Sequence, residues 1–268
     1  MKIAIVDYGT GNLRSVGQAV RAVADGADVT VTKSAAEIDA ADRVIFPGQG
    51  AMGDCMRCLG ESGLKEAVLR ALANKPVLAV CIGMQMLFER SDENDCAGLG
   101  LMAGKVIRFP QAALVRANGE RLKVPQMGWN TVTQRMTHPL WDGIADKSWF
   151  YFVHSYFVAP EDDSLAAGTS SYGLPFVCAV ARDNIFATQV HPEKSAASGL
   201  NLFSNFVHWD IRTFICASAV SRSDFGLLGK PFFKTIGFHH AFNSCNRSAK
   251  RALRTSASGR FGKQHYGL

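Results

Sequence analysis

Cys81, His191 and Glu193 are the residues of this chain whose types and spacing are suited to nucleophilic chemistry. The apolar run PVLAVC is typical of a buried strand, and the residues IGMQ behind Cys81 begin a helix after a sharp turn. Such a turn exposes its side chain beside backbone N–H groups and the positive end of the helix, which stabilise a thiolate and an oxyanion. With His191 as the base and Glu193 as its orienting carboxylate, the sequence predicts a Cys–His–Glu enzyme.

A glycine loop, Gly48–Gln49–Gly50, follows another predicted strand. In an open parallel sheet the active site lies at the carboxyl ends of the strands, and both this loop and Cys81 fall at such ends. Glycines let the backbone approach a substrate closely and turn an N–H inward. We therefore predict an oxyanion hole formed by this loop and the N–H of Ile82.

Each of these residues also has a purely structural interpretation. A cysteine in an apolar strand is usually an inert core residue, a lone histidine is more often structural, and Pro-Gly-x-Gly is common in turns. Gln85, one turn into the helix, can simply be a polar surface residue. The conjunction favours catalysis, because His191 and Glu193 flank a proline in a segment predicted to be extended, which would point both side chains to the same side.

Length and composition limit the classes of protein to consider. The chain has 268 residues, of which 47% are hydrophobic, so one large domain with an appendage or two small domains are expected. It contains no long uncharged apolar run, and its N-terminus lacks the features of a signal peptide. We predict a cytoplasmic protein without a membrane span, whose seven cysteines stay reduced. The single CxxC, residues 55–58, has no second pair to complete a zinc site, so no metal or cofactor is predicted.

The basic character of the chain belongs to its C-terminal part. Residues 211–268 contain ten Lys or Arg against one acid, a charge of +9, which leaves residues 1–210 at −3. We predict a domain over 1–210 and a basic C-terminal extension over 211–268 that is weakly structured. Contact of this extension with nucleic acid or an acidic surface is the less favoured alternative.

Strand and helix patterns alternate along the first half of the predicted domain 1–210. Predicted strands are 2–7, 29–32, 44–46 and 77–80; predicted helices are 13–23, a short one opened by a Ser34–Glu37 capping box, and 64–73. Later predicted strands are 104–109, 121–124, 130–133, 148–153, 176–180 and 185–190, before a helix over 196–209. The expected fold class is α/β, an open mixed sheet whose parallel core is flanked by helices and extended by these later strands as antiparallel additions.

Six segments carry a resemblance to a known family: residues 7–15 (DYGTGNLRS), 47–52 (PGQGAM), 80–85 (VCIGMQ), 125–130 (PQMGWN), 151–156 (YFVHSY) and 191–195 (HPEKS). The chain closely resembles the glutaminase subunit of imidazole glycerol phosphate synthase, a class I (triad) glutamine amidotransferase of histidine biosynthesis with a flavodoxin-like sheet. The cysteine elbow and the HPE segment mark class I glutaminases generally. The first, fourth and fifth segments are more specific to this subunit.

The resemblance implies residue roles in the hydrolysis of L-glutamine to glutamate and ammonia. Cys81 would attack the carboxamide carbon, with His191 as base and Glu193 as its orienter. The implied oxyanion hole comprises Gly48, Gln49, Gly50 and Ile82, and the implied holders of the amino-acid end of the substrate are Gln85, Ser155 and Tyr156.

The resemblance also implies a partner. Ammonia would pass through a barrel-shaped cyclase subunit, in a heterodimer that makes imidazole glycerol phosphate and an aminoimidazole carboxamide ribotide. Trp129 and Asn130 resemble the ammonia gate at that interface, and Lys194 resembles an interface charge. The isolated glutaminase subunit is then expected to be nearly inactive.

The chain departs from the family at three places, and two alternatives remain open. Ala79 stands where most class I elbows have glycine, Gln49 stands where a small branched apolar residue is common, and residues 211–268 extend beyond the usual end. One alternative is a paralogous class I glutaminase that feeds another acceptor, such as a surface-sugar amidination pathway. The other is a catalytically impaired interaction module organised around the extension.

Overall fold

The computed structural model describes residues 1–115 and 119–211. Its helices are α1 (Leu13–Arg21), α2 (Ala35–Ala40), α3 (Met52–Glu61), α4 (Lys65–Asn74), α5 (Ile82–Gln85) and α6 (Ala196–His208). Its strands are β1 (Lys2–Val6), β2 (Asp28–Thr32), β3 (Arg43–Gly48), β4 (Val77–Cys81), β5 (Phe88–Ser91), β6 (Cys96–Ala97), β7 (Met102–Arg108), β8 (Gln126–Gln134), β9 (Ser148–His154), β10 (Tyr156–Pro160), β11 (Ala166–Ser171), β12 (Pro175–Arg182) and β13 (Ile185–Thr188). The basic C-terminal extension predicted over 211–268 lies outside the described residues, except for Ile211. The predictions that this extension is weakly structured, or that it contacts nucleic acid, therefore fall outside them as well.

The parallel half of the sheet has the strand order β2-β1-β3-β4-β13. Every residue of β4 and β13 is buried, as expected for central strands covered on both faces. The prediction that residues 185–190 form an antiparallel addition was wrong in direction, because β13 pairs parallel with β4. A tight hairpin after β12 reverses the chain, so the last strand joins the parallel core.

Antiparallel strands extend the sheet beyond β13 in the order β12-β10-β7, with β11, β8 and β9 branching from β12. The antiparallel additions expected from the sequence are therefore present, and β5, β6, β10 and β11 were missed. The strand predicted over 121–124 was wrong, because Arg121 forms only an isolated bridge with Val115. Pro125, which lacks an N–H and restricts the residue before it, prevents a regular ladder there.

Local sequence signals explain most helices. The Ser34 hydroxyl accepts a hydrogen bond from the Glu37 N–H at 3.4 Å, which confirms Ser34 as the N-cap of α2. The reciprocal half of the predicted capping box is not formed, because the Ser34 N–H donates to the Thr32 hydroxyl instead of to Glu37. Helix α1 buries Val16 and Val20 on one face, at the predicted spacing. Helix α3 was missed because its buried stripe is short and two glycines interrupt its sequence.

The carboxyl ends of three neighbouring strands bring the predicted catalytic segments to one edge of the sheet. Strands β3, β4 and β13 are neighbours, and Gly48 at the end of β3 is the register partner of Cys81 at the end of β4. Thr188, the last residue of β13, pairs with Val80, so the following residues reach the same edge. Among the described residues, no helix is long and apolar enough to cross a membrane.

Candidate active site

Cys81 occupies a strained turn between strand and helix. It is the last residue of β4 and directly precedes α5, with φ 56° and ψ −112°. A positive φ is uncommon for a residue with a Cβ and costs about 1–3 kcal/mol, so the surrounding structure must hold it in place. The turn sets Cys81 at the sheet edge, but the expectation of an exposed thiol was wrong: Cys81 is only 3% exposed, because neighbouring side chains such as Gln189 lie against it. This conformation is that of a nucleophile elbow.

Two glycines allow the elbow to pack against the end of β3. A Cβ on Gly83 would lie 2.1 Å from the Phe46 carbonyl oxygen. A Cβ on Gly48 would lie 2.8 Å from both the Gly83 nitrogen and the Tyr8 hydroxyl. Any side chain at either position would push the glycine loop away from Cys81. The two segments predicted to form the oxyanion hole are therefore in backbone contact.

His191 and Glu193 form a buried pair. The His191 Nδ1 lies 3.0 Å from Glu193 Oε1, and the two side chains are 5% and 1% exposed. The expectation of an extended segment was wrong, because Pro192–Lys194 forms a 3₁₀ turn. The turn still brings the two side chains together. Among the described residues nothing hydrogen-bonds His191 Nε2, which leaves that atom available for proton transfer.

Hydrogen bonds attach the histidine turn to strand β9. The His191 N–H donates to the Tyr151 carbonyl at 2.9 Å. Ser195 completes the attachment, because its hydroxyl donates to the His191 carbonyl at 2.7 Å and accepts from the Tyr151 N–H at 3.0 Å. Buried hydrogen bonds of this kind fix the imidazole relative to the sheet.

The charge state of His191 follows from its neighbours. Burial of the imidazole opposes protonation, but the Cys81 sulfur, as a thiolate, and the Glu193 carboxylate outweigh burial and raise the pKa of His191 from 6.5 to about 10. His191 facing these two groups is therefore an imidazolium at neutral pH. Since the pKa is raised by folding, the stability that His191 contributes is complete below about pH 6.5 and is lost as the pH rises through about 10.

Removing the sulfur should lower the pKa of His191. In Cys81→Ala the thiolate is absent while the desolvation of the imidazole remains, so we expect the ring to lose its proton at a lower pH than in the unchanged chain. Two-dimensional NMR titration of the histidine side chains measures this directly. An unchanged His191 titration in Cys81→Ala would contradict the coupling, and the Cys58→Ala variant is the control.

The predicted substrate-binding residues meet at one hydrogen-bonded point. The Gln85 side chain is 1% exposed, and its Nε2 donates to the Tyr156 carbonyl at 3.2 Å. Gln85 Oε1 has no hydrogen-bond partner among the described residues, although it is buried. The surface interpretation of Gln85 was therefore wrong. Ser155 and Tyr156 are half-buried, and the contact to Gln85 is made by backbone rather than by either hydroxyl.

Gln189 is a site residue for which the sequence reasoning gave no role. It follows β13, is fully buried, and accepts a hydrogen bond from Gln85 Nε2 at 2.9 Å through its Oε1. Its Nε2 donates to Cys81 Sγ at 3.6 Å. The available signal was its position two residues before His191, at the end of a strand beside the elbow strand.

Ala79 and Gln49, the two departures from the family pattern within residues 1–210, are accommodated differently. Ala79 is fully buried in β4, and its methyl group packs within the core below the elbow. Gln49 is exposed, so its side chain points to solvent. Its carbonyl oxygen accepts a hydrogen bond from Cys55 Sγ at 3.4 Å, and the Tyr8 hydroxyl donates to the Pro47 carbonyl at 2.8 Å. The loop is thus held by its backbone.

An exposed apolar surface lies on the β8–β9 ribbon, next to the histidine turn. Met127, Trp129 and Trp149 are 66%, 48% and 58% exposed. The Trp129 ring lies edge-on to Tyr151, with 6.1 Å between centroids, and Lys194 Nζ lies 5.5 Å from the Tyr151 ring centroid. We call these five residues the ribbon surface. A contiguous exposed apolar surface of this kind marks an interaction site.

Asn130 is held by its own hydrogen bonds at the border of the ribbon surface. Its Nδ2 donates to the Ser171 carbonyl at 2.9 Å, and its Oδ1 accepts from the Thr131 N–H at 2.8 Å.

In the described part of the chain, no group of three or more His, Cys, Asp or Glu side chains is arranged to hold a metal ion.

The fold and the site define a class of protein. A family model described as glutamine amidotransferase class-I matches residues 4–209. Two solved structures share the fold: a glutamine amidotransferase with a TM-score of 0.57 at 15% identity, covering 77% of this chain and 99% of that one, and PurLQS from Thermotoga maritima with a TM-score of 0.56 at 17% identity, covering 77% and 97%. The α/β fold class expected from the sequence is confirmed.

Curated relatives narrow the class. The chain is 59% identical over 207 residues to imidazole glycerol phosphate synthase subunit HisH of Aromatoleum aromaticum, covering 77% of this chain and 98% of that protein. It is 56% identical over 208 residues to the subunit HisH of Thiobacillus denitrificans, covering 78% and 91%. The chain belongs to the class I glutamine amidotransferases and, within them, to the family of these HisH subunits.

Proposed function

We propose that the chain is the glutaminase subunit of an imidazole glycerol phosphate synthase in histidine biosynthesis. The observation that carries the proposal is the strained Cys81 elbow, which shares one sheet edge with the buried His191–Glu193 pair. The membership of the chain in the HisH family supports the choice of pathway.

In the first half of the reaction, Cys81 attacks the carboxamide carbon of L-glutamine as a thiolate. The proton already resides on His191, whose raised pKa keeps the imidazolium formed at neutral pH. The new C–S bond places a negative charge on the former amide oxygen. The N–H of Ile82, the first residue of α5, and an N–H of the Gly48–Gly50 loop are the donors we assign to this oxyanion.

In the second half, the tetrahedral intermediate collapses. His191 gives its proton to the leaving nitrogen, ammonia departs, and a glutamyl thioester remains on Cys81. The now neutral imidazole takes a proton from water, which attacks the thioester and releases glutamate. Glu193 holds Nδ1–H throughout, so Nε2 is the atom that exchanges protons. Gln85, with its buried free Oε1, and the Ser155–Tyr156 backbone hold the amino-acid end of the substrate.

The ribbon surface is the docking site we assign to the cyclase subunit. It is apolar and aromatic at its centre and carries one cation, Lys194, at the histidine turn. Tyr151 belongs to this surface, and its carbonyl accepts from the His191 N–H. Ammonia released at Cys81 therefore leaves close to the partner. Asn130, at the border of this surface, is assigned with Trp129 to the gate.

The two alternatives are not favoured. A paralogous glutaminase for another acceptor would have to be 56–59% identical to several HisH subunits and still serve a different pathway. An interaction module would have no need of a strained elbow aligned with a buried His–Glu pair, because strain persists only where the structure over-determines it.

Glutamate release by the full chain tests the proposal, measured alone and with a cyclase subunit of imidazole glycerol phosphate synthase carrying its ribonucleotide ligand. We expect low activity alone and strong activation by the loaded partner. The same assay run with other amidotransferase acceptor subunits tests the paralogue. Failure to bind the cyclase subunit at all would overturn the histidine-pathway assignment.

Trp129→Ala is expected to weaken binding of the cyclase subunit about 10- to 100-fold, because aromatic residues at the centre of an interface carry much of the binding energy. Isothermal titration calorimetry with the cyclase subunit measures the change. Leu200→Ala, at a 37% exposed apolar residue on α6, is the matched control and should bind normally. Equal affinities for the two variants would place the partner elsewhere.

A further inference from the structure

The side chain of Gln189 connects the substrate pocket with the nucleophile. It is fully buried, and both ends of its amide are engaged: Oε1 with Gln85 Nε2 at 2.9 Å, and Nε2 with Cys81 Sγ at 3.6 Å. Burying an amide is costly unless it is hydrogen-bonded, and one of its two partners here is the reacting sulfur.

The direction of this hydrogen-bond chain is fixed at its far end. The Tyr156 carbonyl can only accept, so the Gln85 atom that faces it must be Nε2. The same Nε2 faces Gln189, which therefore turns its Oε1 towards Gln85 and its N–H group towards Cys81. A backbone carbonyl thus determines that the sulfur receives a donor and not an acceptor.

We propose that Gln189 is a positioning residue for the reaction, holding the Cys81 thiolate by an amide N–H whose direction is set by Gln85 and the Tyr156 carbonyl. The inference rests on the proposed function and adds to it an amide N–H that donates to the sulfur. A hydrogen bond to an ionised group is stronger than one to its neutral form, so this donor favours the thiolate and orients its lone pairs. Binding of substrate to Gln85 would act on the sulfur through the same chain.

The test compares Gln189→Met, which keeps length and volume, with Gln189→Glu, which keeps the acceptor for Gln85 but removes the donor. Alkylation of Cys81 by iodoacetamide in the full chain, located by peptide mass spectrometry, is followed against pH without glutamine or partner. The other titratable groups coupled to the site are His191, with Glu193 and His154 beside it, and Tyr8 with Cys55; all are left unchanged.

We expect the pH midpoint of Cys81 alkylation to rise by about one unit in both variants. Glutamate release by the cyclase complex should fall about 10- to 100-fold in kcat, with a smaller change in KM. Gln134→Met removes a glutamine hydrogen bond to the Ile144 carbonyl, away from Cys81, and should change neither readout. Circular dichroism of each variant verifies folding.

An alkylation profile that is unchanged in both variants would overturn the proposal, even if activity falls, since it would leave Gln189 with a packing role only. A shift in Gln189→Met that Gln189→Glu restores would also overturn it, because the donor would then not be the cause. The alkylation readout needs no turnover, so it remains decisive if the unchanged chain fails to release glutamate with the cyclase subunit.

Discussion

Replacing Cys81 with alanine is expected to reduce partner-stimulated glutamate release by about 10³-fold or more, because it removes the thiol that is assigned to form the glutamyl thioester. The measurement is glutamate production from glutamine by the complex with the cyclase subunit. Binding of that subunit should persist, since Cys81 is 3% exposed and lies outside the ribbon surface.

Two further variants make this result specific. Cys58→Ala removes a half-buried thiol from α3 and should retain activity. Cys81→Gly should be as inactive as Cys81→Ala but more stable by about 1 kcal/mol, because glycine adopts φ 56° without the Cβ penalty. Substantial activity in either Cys81 variant would refute covalent catalysis at this residue.

Gly83→Ala is expected to damage both stability and activity. The new methyl group would lie 2.1 Å from the Phe46 carbonyl oxygen, a backbone atom that cannot rotate away, so α5 must move relative to β3. We expect a loss of about 1–3 kcal/mol in the free energy of unfolding. A shift of the elbow by even part of an ångström should lower glutamate release about 100-fold.

Gly60→Ala is the matched control for this substitution. Gly60 is an exposed helical glycine in α3, and a Cβ added there would meet no atom within 4 Å, so alanine should stabilise the helix by about 1 kcal/mol. Urea unfolding and glutamate release are measured on both variants. The close-packing account would be wrong if Gly83→Ala and Gly60→Ala behaved alike.

The residue types of the site could be predicted from the sequence, because strand ends and turn signals are enough to locate Cys81 and the glycine loop. The strained backbone conformation of Cys81 could not be predicted from the sequence, since a positive φ at a non-glycine residue is imposed by its surroundings. The pairing of His191 with Glu193 was expected, but on the basis of an extended segment, whereas the backbone between them forms a 3₁₀ turn.

Long-range pairing accounts for most of what the sequence left undetermined. The apolar residues at the start of 185–190 indicate a strand but not its neighbour, and only the position of β4 beside β13 makes the pairing parallel. β11, with the sequence AAGTSS, has a single β-branched residue and no aromatic residue, so its own sequence signals a strand weakly and its partners stabilise it. A role for Gln189 could be recognised only from the tertiary structure, because its hydrogen-bond partners Gln85 and Cys81 are distant in sequence.

In the proposed mechanism, Cys81 carries a glutamyl group during turnover. The most direct measurement is mass spectrometry of the cyclase complex, quenched with acid during the hydrolysis of glutamine and digested for peptides. We expect a glutamyl thioester on the peptide that contains Cys81, and no such adduct in the Cys81→Ala complex. Turnover of glutamine with the adduct on another residue, or with no adduct under conditions where deacylation is slowed, would contradict it.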